Sequence, residues 1–82
     1  MKYTILWSES AEKQLKKLDR SIAKQIYRKV GELADDPYRN TKRLVGIEGH
    51  RLRVGDYRVI YKVNSNKLEI LILKTGHRKN IY

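Results

Sequence analysis

Apolar residues recur with two different periods along the chain, and the change of period divides it into two halves. After a short run of strand-forming residues at 2–7, apolar positions recur every three or four residues up to about residue 35. From residue 51 onward, apolar and polar residues alternate, as they do along a half-buried strand. The chain is therefore predicted to begin with a strand, continue through helices and end in a sheet.

The helical half predicts two helices. Ser8 can cap the first helix, and Asp19 or Ser21 opens the second, which should stop near Asp35, before Asp36 and Pro37. The apolar positions of the first helix are Ala11, Leu15 and Leu18, and those of the second are Ile22, Ile26, Val30 and Leu33. Because only a few residues separate the two helices, they are expected to form an antiparallel hairpin.

The second half predicts a loop and then three strands. Residues 38–50 are polar and read as a loop, with residues 42–44 as a short extended piece. Strands are expected at 51–54, 57–63 and 68–73. Gly55 and Asp56 fit a two-residue hairpin turn, because glycine supplies a positive φ, and residues 64–66 form the second turn.

These elements predict a small α+β domain of order β-α-α-β-β-β. An antiparallel sheet would carry the helical hairpin on one face. The 82 residues leave room for one domain, which would span residues 1–82.

The proposed turn decides which side chains meet across the hairpin. It places Arg53 opposite Arg58 and Arg51 opposite Ile60, so Arg51, Arg53, Arg58 and Lys62 share the face away from the helices. Like charges directly opposite one another destabilise a sheet. Either an anion is bound between the two guanidiniums, whose planar forks match phosphate oxygens, or the arginines splay apart on a solvated face. The pattern alone leaves both interpretations open.

Charge and composition narrow the classes of partner. The chain has 19 Lys and Arg against 9 Asp and Glu, a net charge of +10, which favours a nucleic acid or an acidic protein as partner. With no cysteine and two histidines, neither a metal site nor a cofactor is expected. The apolar start is too short for a signal peptide or a membrane span, so a cytoplasmic protein without membrane association is predicted.

Two stretches together resemble the RelE/ParE toxin superfamily. They are RLRVGDYRVIY at 51–61 and GHRKNIY at 76–82, preceded by residues 42–44. By composition the second stretch would be a frayed basic tail, and the resemblance is what gives it a role. RelE-like members cleave messenger RNA in the ribosomal A site, whereas ParE-like members share the fold and poison DNA gyrase.

The resemblance implies a set of site residues. The catalytic set is Arg53, Arg58, Arg78 and Tyr82, and the residues expected to bind RNA are Arg51, Lys62, His77 and Lys79. His77 is also a candidate acid or base, because imidazole exchanges protons near neutral pH. The best-studied members have lysine where Arg51 and Arg53 stand. Arginine binds phosphate well but is a poor general base.

Three functions follow from the resemblance. The first is a metal-independent, ribosome-dependent endoribonuclease that cleaves mRNA through attack by the 2′-hydroxyl. The second is a gyrase inhibitor, and the third is a non-catalytic basic module that represses transcription with an antitoxin. Arg58, Arg78 and Tyr82 together favour the nuclease, because a protein that only binds has no need of that set. The expected partners are the ribosome, mRNA and an acidic antitoxin, with a heterotetramer as one assembly that the resemblance allows.

Overall fold

The computed structural model describes residues 2–38, 41–43, 49–77 and 79, with the backbone alone described at 41–43. Within these ranges the elements are β1 (Thr4–Trp7), α1 (Glu9–Lys16), α2 (Arg20–Glu32), β2 (Thr41–Arg43), β3 (His50–Val54), β4 (Tyr57–Asn64) and β5 (Glu69–His77). The predicted α+β class and β-α-α-β-β-β order are confirmed. The extended piece expected at 42–44 forms β2, which ends at Arg43, and Leu44 lies outside the described residues.

The five strands form one sheet in the order β1-β5-β4-β3-β2. The sheet is antiparallel, as predicted, except that β1 and β5 run parallel. A parallel pair needs a long connection between its strands, and here α1, α2 and the other three strands lie between β1 and β5 along the chain. Neither described helix has the length and apolar character that a membrane crossing requires.

The first helix begins at a capped serine that also contacts the sheet. Ser8 has extended backbone angles, and its Oγ accepts a hydrogen bond from the Ala11 amide at 3.0 Å. The same hydroxyl donates to the Leu73 carbonyl at 3.1 Å. The start of α1 is therefore fixed to the middle of β5. Asp19 precedes α2 as predicted but makes no capping hydrogen bond with its side chain.

The core lies between the helices and one face of the sheet, here called the inner face. Its buried residues are Ala11, Leu15, Ile26, Val30, Leu33, Leu52, Val54, Val59, Tyr61, Ile70 and Ile72. Tyr61 is fully buried, and its hydroxyl donates to the Pro37 carbonyl. Its ring stacks on His50 at 5.4 Å, so His50 belongs to β3 rather than to the predicted loop. The other face of the sheet, the outer face, carries no helix of the described chain.

The last strand is longer than predicted. It continues past Leu73 to His77, because Lys74–His77 pair with the first four residues of β4. A register shift between Ile60 and Tyr61 leaves Leu73 as an extra residue in β5. Gly76 and His77 consequently belong to the sheet and not to a tail.

Beyond the end of β1, side chains of α1 bond the exposed edge of β5. Gln14 Oε1 accepts a hydrogen bond from the Thr75 amide at 2.8 Å, and Thr75 Oγ1 donates to the Ala11 carbonyl at 3.1 Å. Thr75 is 2% exposed, so its hydroxyl is buried between α1 and β5. This clamp takes the place of a neighbouring strand, since β1 pairs with β5 only as far as Ile72.

Thr75→Val removes one bond of this clamp while keeping the side-chain volume. We expect the free energy of unfolding to fall by about 1 kcal/mol, because valine cannot make the hydrogen bond that the Thr75 hydroxyl donates to the Ala11 carbonyl. Thr4→Val on the exposed side of β1 is the matched control and should change stability by less than about 0.5 kcal/mol. Urea unfolding checks both, and equal effects in the two variants would contradict the clamp.

Candidate active site

The hairpin between β3 and β4 has the register that the sequence predicts. Arg53 is the Cα partner of Arg58, and Arg51 is the partner of Ile60. Gly55 has a φ of +60°, a conformation that glycine adopts without the strain a side chain would introduce. The turn therefore sets two guanidinium groups side by side on the outer face.

The two guanidiniums share one main-chain acceptor. Arg53 Nε and Arg58 Nη1 each donate to the Gly55 carbonyl at 3.3 Å. Arg58 Nη1 also lies 3.2 Å from the Tyr57 carbonyl, to which it donates. The carbonyl of the turn thus holds both arginines at one place, rather than letting them splay apart.

No carboxylate neutralises this pair within the described part of the chain. The two salt bridges found there join Lys13 to Glu9 and Lys29 to Glu32, and both lie on exposed helix surfaces. The carboxylate nearest in sequence is Asp56 in the turn, which is exposed and forms no salt bridge with either arginine, and the strands β3, β4 and β5 add only Glu69 at the far end of β5. The guanidiniums of Arg53 and Arg58 therefore keep their full charge for an external anion.

Arg58 has hydrogen-bonding capacity that the described chain does not use. Its side chain is half-buried, and its Nε is buried without a hydrogen-bond partner among the described residues. The residue opposite it on β5 is Gly76, and no described atom lies within 4 Å of where a Cβ would stand there. Among the described residues no side chain fills the space beside Gly76, and a turn of the Arg58 guanidinium toward that space would let it bind a phosphate oxygen.

Arg51, Lys62 and Lys74 extend this surface. Together with Arg53 and Arg58 they form what is here called the basic face. Arg51 and Lys62 are half-buried on the outer face, as predicted. Lys74 was missed by sequence reasoning. It is exposed and is the partner of Ile60, and cross-strand partners share a face. Ile60, which is paired with Arg51 on one side and Lys74 on the other, is 7% exposed.

His77 lies on the opposite side of the sheet from Arg58. Its ring meets Tyr57 edge to face at 5.4 Å, in a cleft of about 650 Å³ beside Lys17 and Leu18 at the end of α1. His77 Nδ1 accepts a hydrogen bond from the amide of Lys79, which is itself exposed. The structure therefore brings Arg51, Arg53, Arg58 and Lys62 together, and it does not bring His77 to them.

The remaining two predicted catalytic residues, Arg78 and Tyr82, lie outside the described residues. Among the residues that are described, no group of three histidine, aspartate or glutamate side chains could hold a metal ion. The chemistry available at the basic face is binding of anionic oxygens by guanidinium and ammonium groups.

The chain is thus a small cationic α+β domain with two helices on one face of a mixed sheet and an arginine pair on the other. The chain belongs to the ParE toxin family of type II toxin–antitoxin systems, whose family model matches residues 5–82. It is 31% identical over 87 residues to the toxin RelG of Mycobacterium tuberculosis, covering 100% of this chain and 98% of that protein.

RelE proteins are similar in sequence and fold. The mRNA interferase toxin RelE of Escherichia coli is 27% identical over 82 residues, covering 96% of this chain and 86% of that protein. The toxin–antitoxin complex RelBE2 of Mycobacterium tuberculosis contains a chain that superposes with a TM-score of 0.88 at 27% identity, covering 95% of this chain and 100% of that one. The chain is accordingly a RelE-like toxin of a type II toxin–antitoxin system.

Replacing Gly55 tests how the arginine pair is held. Gly55→Ala places a side chain at a φ of +60°, which costs about 1–2 kcal/mol, and it should also shift the carbonyl that binds Arg53 and Arg58. Gly31→Ala in α2 is the matched control, since a Cβ there meets nothing within 4 Å and should stabilise the helix by about 0.5–1 kcal/mol. Thermal melting should move the two variants in opposite directions, and a stabilised Gly55→Ala would refute the assigned turn.

Proposed function

We propose that this toxin is a metal-independent endoribonuclease that cleaves messenger RNA in the ribosomal A site. The observation that carries the proposal is the pair of guanidiniums, Arg53 and Arg58, that share the Gly55 carbonyl without a carboxylate partner. A protein gains nothing in stability from two such charges facing each other. A phosphate between them turns the repulsion into attraction, which favours a nucleic-acid substrate.

The proposed reaction moves one proton in net terms from the attacking 2′-hydroxyl to the leaving 5′-oxygen, and it consumes no further reactant. The ribose 2′-hydroxyl attacks the adjacent phosphorus, and the bond to the 5′-oxygen of the next nucleotide breaks. The products are a 2′,3′-cyclic phosphate and a 5′-hydroxyl. Charge builds on the non-bridging oxygens in the transition state, where preorganised donors are most effective.

The assignment of roles follows the geometry of the basic face. Arg53 and Arg58 stabilise the charge on the phosphorus, and Arg51 holds a flanking phosphate, since it lies two residues before Arg53 on the same face. We retain Arg78 on the leaving-group side and Tyr82 as the residue that stacks on a base or accepts the proton, on the strength of the family resemblance. Lys62 contributes to RNA binding from the outer face, and Lys79 is kept as an RNA-binding residue on the family resemblance alone. His77 has no role at this site, because its ring packs on Tyr57 on the inner face.

The relatives support an mRNA target rather than gyrase. The E. coli relative is named an mRNA interferase. Binding to gyrase does not by itself call for an arginine pair free of carboxylates, whereas such a pair suits stabilisation of the charge that develops on phosphate oxygens. For the partner, we propose an acidic antitoxin, because the chain carries ten more positive than negative side chains and the M. tuberculosis structure is a toxin–antitoxin complex.

Arg58→Ala tests the catalytic assignment. Ribosome-dependent cleavage of mRNA, followed by primer extension, should fall roughly 10²–10³-fold, because one preorganised donor to the transition state is lost. Arg58→Lys should recover part of the loss, since lysine keeps the charge but not the planar fork. The effect is expected on cleavage and not on folding, because Arg58 bonds only two main-chain carbonyls in the described structure.

Arg28→Ala is the charge-matched control for this experiment. Arg28 is exposed on α2, so its removal lowers the net charge equally and leaves the basic face intact. Its cleavage rate should stay close to that of the parent. Undiminished cleavage by a folded Arg58→Ala variant would overturn the assignment. Double-strand DNA breaks that depend on gyrase, without mRNA cleavage, would favour the inhibitor.

A further inference from the structure

A cleft lies at the edge of β5, beyond the point where β1 stops pairing with it. β1 pairs with β5 as far as Ile72, and the cleft opens past that residue, between the end of α1 and the last residues of β5. Its volume of about 650 Å³ falls within the range of small-molecule sites, roughly 300–1,000 Å³. It is here called the edge cleft, and its lining includes Gln14, Lys17, Leu18, Tyr57, Lys74 and His77.

The apolar part of the lining suits a flat ring. The rings of Tyr57 and His77 meet edge to face at 5.4 Å, and both residues are half-buried, as is Leu18. Each ring therefore keeps part of its surface accessible within the cleft. Nucleobases pack on aromatic side chains of this kind, and the contact tolerates any base because each has a π-face.

Two polar side chains of the lining have their acceptors engaged and offer donors. Gln14 Oε1 accepts from the Thr75 amide, so the other end of the side chain is an NH₂ group. His77 Nδ1 accepts from the Lys79 amide, which places the proton of the neutral ring on Nε2. The side-chain nitrogens that Gln14 and His77 still offer are therefore N–H donors, which require acceptors on a ligand.

The charges of the lining are positive. Lys17 and Lys74 are exposed and line the cleft, and the described lining contains no aspartate or glutamate. A ligand that fits combines a flat ring, acceptors along one edge of that ring and a negative charge. Guanine presents two adjacent acceptors, N7 and O6, whereas adenine presents an amino donor in place of O6. Phosphate supplies the charge that the two ammonium groups bind.

We propose that the edge cleft binds a guanosine nucleotide. The base packs against Tyr57 and His77, and its N7 and O6 accept from the N–H groups of His77 and Gln14. The phosphate lies at Lys17, within reach of solvent. The nucleotide is either free or part of an RNA strand, and the chemistry of recognition is the same in both cases.

The second source rests on the proposed function. Gly76 lines the edge cleft and is the Cα partner of Arg58, so the cleft adjoins the arginine pair at the edge of the sheet. An RNA strand with one phosphate at Arg58 has a neighbouring nucleotide close to the cleft. Binding of a free nucleotide needs neither Arg58 nor cleavage.

The experiment titrates the full chain with 5′-GMP and with 5′-AMP, which carries the same charge. NMR follows the ring signals of Tyr57 and His77 and the side-chain amide of Gln14. We expect GMP to shift all three and to bind about tenfold more tightly than AMP, the discrimination that a pair of hydrogen bonds to N7 and O6 provides. Equal affinity for the two nucleotides, or GMP binding that leaves these three signals unmoved, would overturn the proposal.

Two variants test the donors. Gln14→Glu keeps an acceptor for the Thr75 amide, so its urea midpoint should match the parent, but it replaces the NH₂ donor with a carboxylate. GMP binding should weaken about tenfold, because the carboxylate repels both the acceptor edge and the phosphate. His77→Phe keeps a ring against Tyr57 without the Nε2 donor and should lose the preference for GMP over AMP. Full GMP preference in both variants would contradict the assigned donors.

Lys17→Gln tests the phosphate contact. GMP and AMP should both bind roughly threefold more weakly, the effect of one exposed ion pair, with the preference for GMP retained. Lys16→Gln is the charge-matched control, because Lys16 is exposed on α1 and does not line the described cleft. An equal loss in the Lys16 and Lys17 variants would show attraction to the net charge alone and would refute a site at the cleft.

Competition distinguishes the two sources. A 2′-O-methyl RNA of seven uridines with a guanosine at its centre lacks the attacking hydroxyl, and an all-uridine strand is its control. If the guanosine strand displaces GMP at a lower concentration than the control strand, the cleft takes a guanosine of RNA. If the two strands compete equally, RNA is excluded as the source and the ligand is the free nucleotide.

Arg58→Ala separates this proposal from the proposed function, and it should bind GMP like the parent. If Arg58→Ala cleaves mRNA at the parental rate while GMP still shifts His77, the nuclease assignment fails and the edge cleft stands. If Arg58→Ala loses cleavage but GMP leaves Tyr57 and His77 unmoved in the parent, the cleft proposal fails alone.

Discussion

Arg53 and Arg58 face each other across the β3–β4 hairpin, where their like charges repel. The properties of the outer face depend on what holds the two guanidiniums in place despite this repulsion. The register that creates the contact is fixed by Gly55 at a φ of +60°, and the same residue supplies the carbonyl that accepts from both guanidiniums. A main-chain acceptor carries a partial charge only. It orients the arginines without neutralising them, as a carboxylate would.

The clamp between α1 and β5 sets what lies beside this pair. Ser8 binds the carbonyl of Leu73, the extra residue of the bulge, and Gln14 binds the amide of Thr75 two residues later. These bonds hold the end of β5 in register with the start of β4. Gly76 thereby stands opposite Arg58 and leaves space that no described side chain fills, while Lys74 joins the basic face. Contacts on the inner face thus set the register of β5, and the register decides which β5 residues lie beside the arginine pair on the outer face.

The sequence was sufficient where a local rule decides the geometry. Alternation and a glycine turn predict that Arg53 meets Arg58, because both depend on adjacent residues only. The length of β5 was not predictable in this way. Lys74–His77 alternate poorly in polarity, and their place in the sheet depends on pairing with β4 and on a bulge that shifts the register.

Two features of the site could not be predicted from the sequence, because they depend on main-chain groups or on long-range strand pairing. The Gly55 carbonyl is a main-chain group, so residue identity does not reveal it as the acceptor for two arginines. His77 falls on the inner face because β5 continues through it, whereas a tail would have allowed it to reach Arg58. The parallel pairing of β1 with β5 joins residues more than 60 positions apart, beyond any local pattern.

An outer face that carries both arginines and the exposed side chains of Leu6 and Leu71 contributes little to folding. The stability of this small domain must then come from the single core on the inner face, and a domain of this size has little in reserve. Any ligand that covers the outer face removes apolar surface from water or neutralises the facing charges, so it stabilises the folded chain through its binding free energy. The features that destabilise the free toxin are therefore the ones that suit it to the proposed RNA substrate and the proposed acidic antitoxin. If both proposed ligands bind the same cations, binding of one opposes binding of the other.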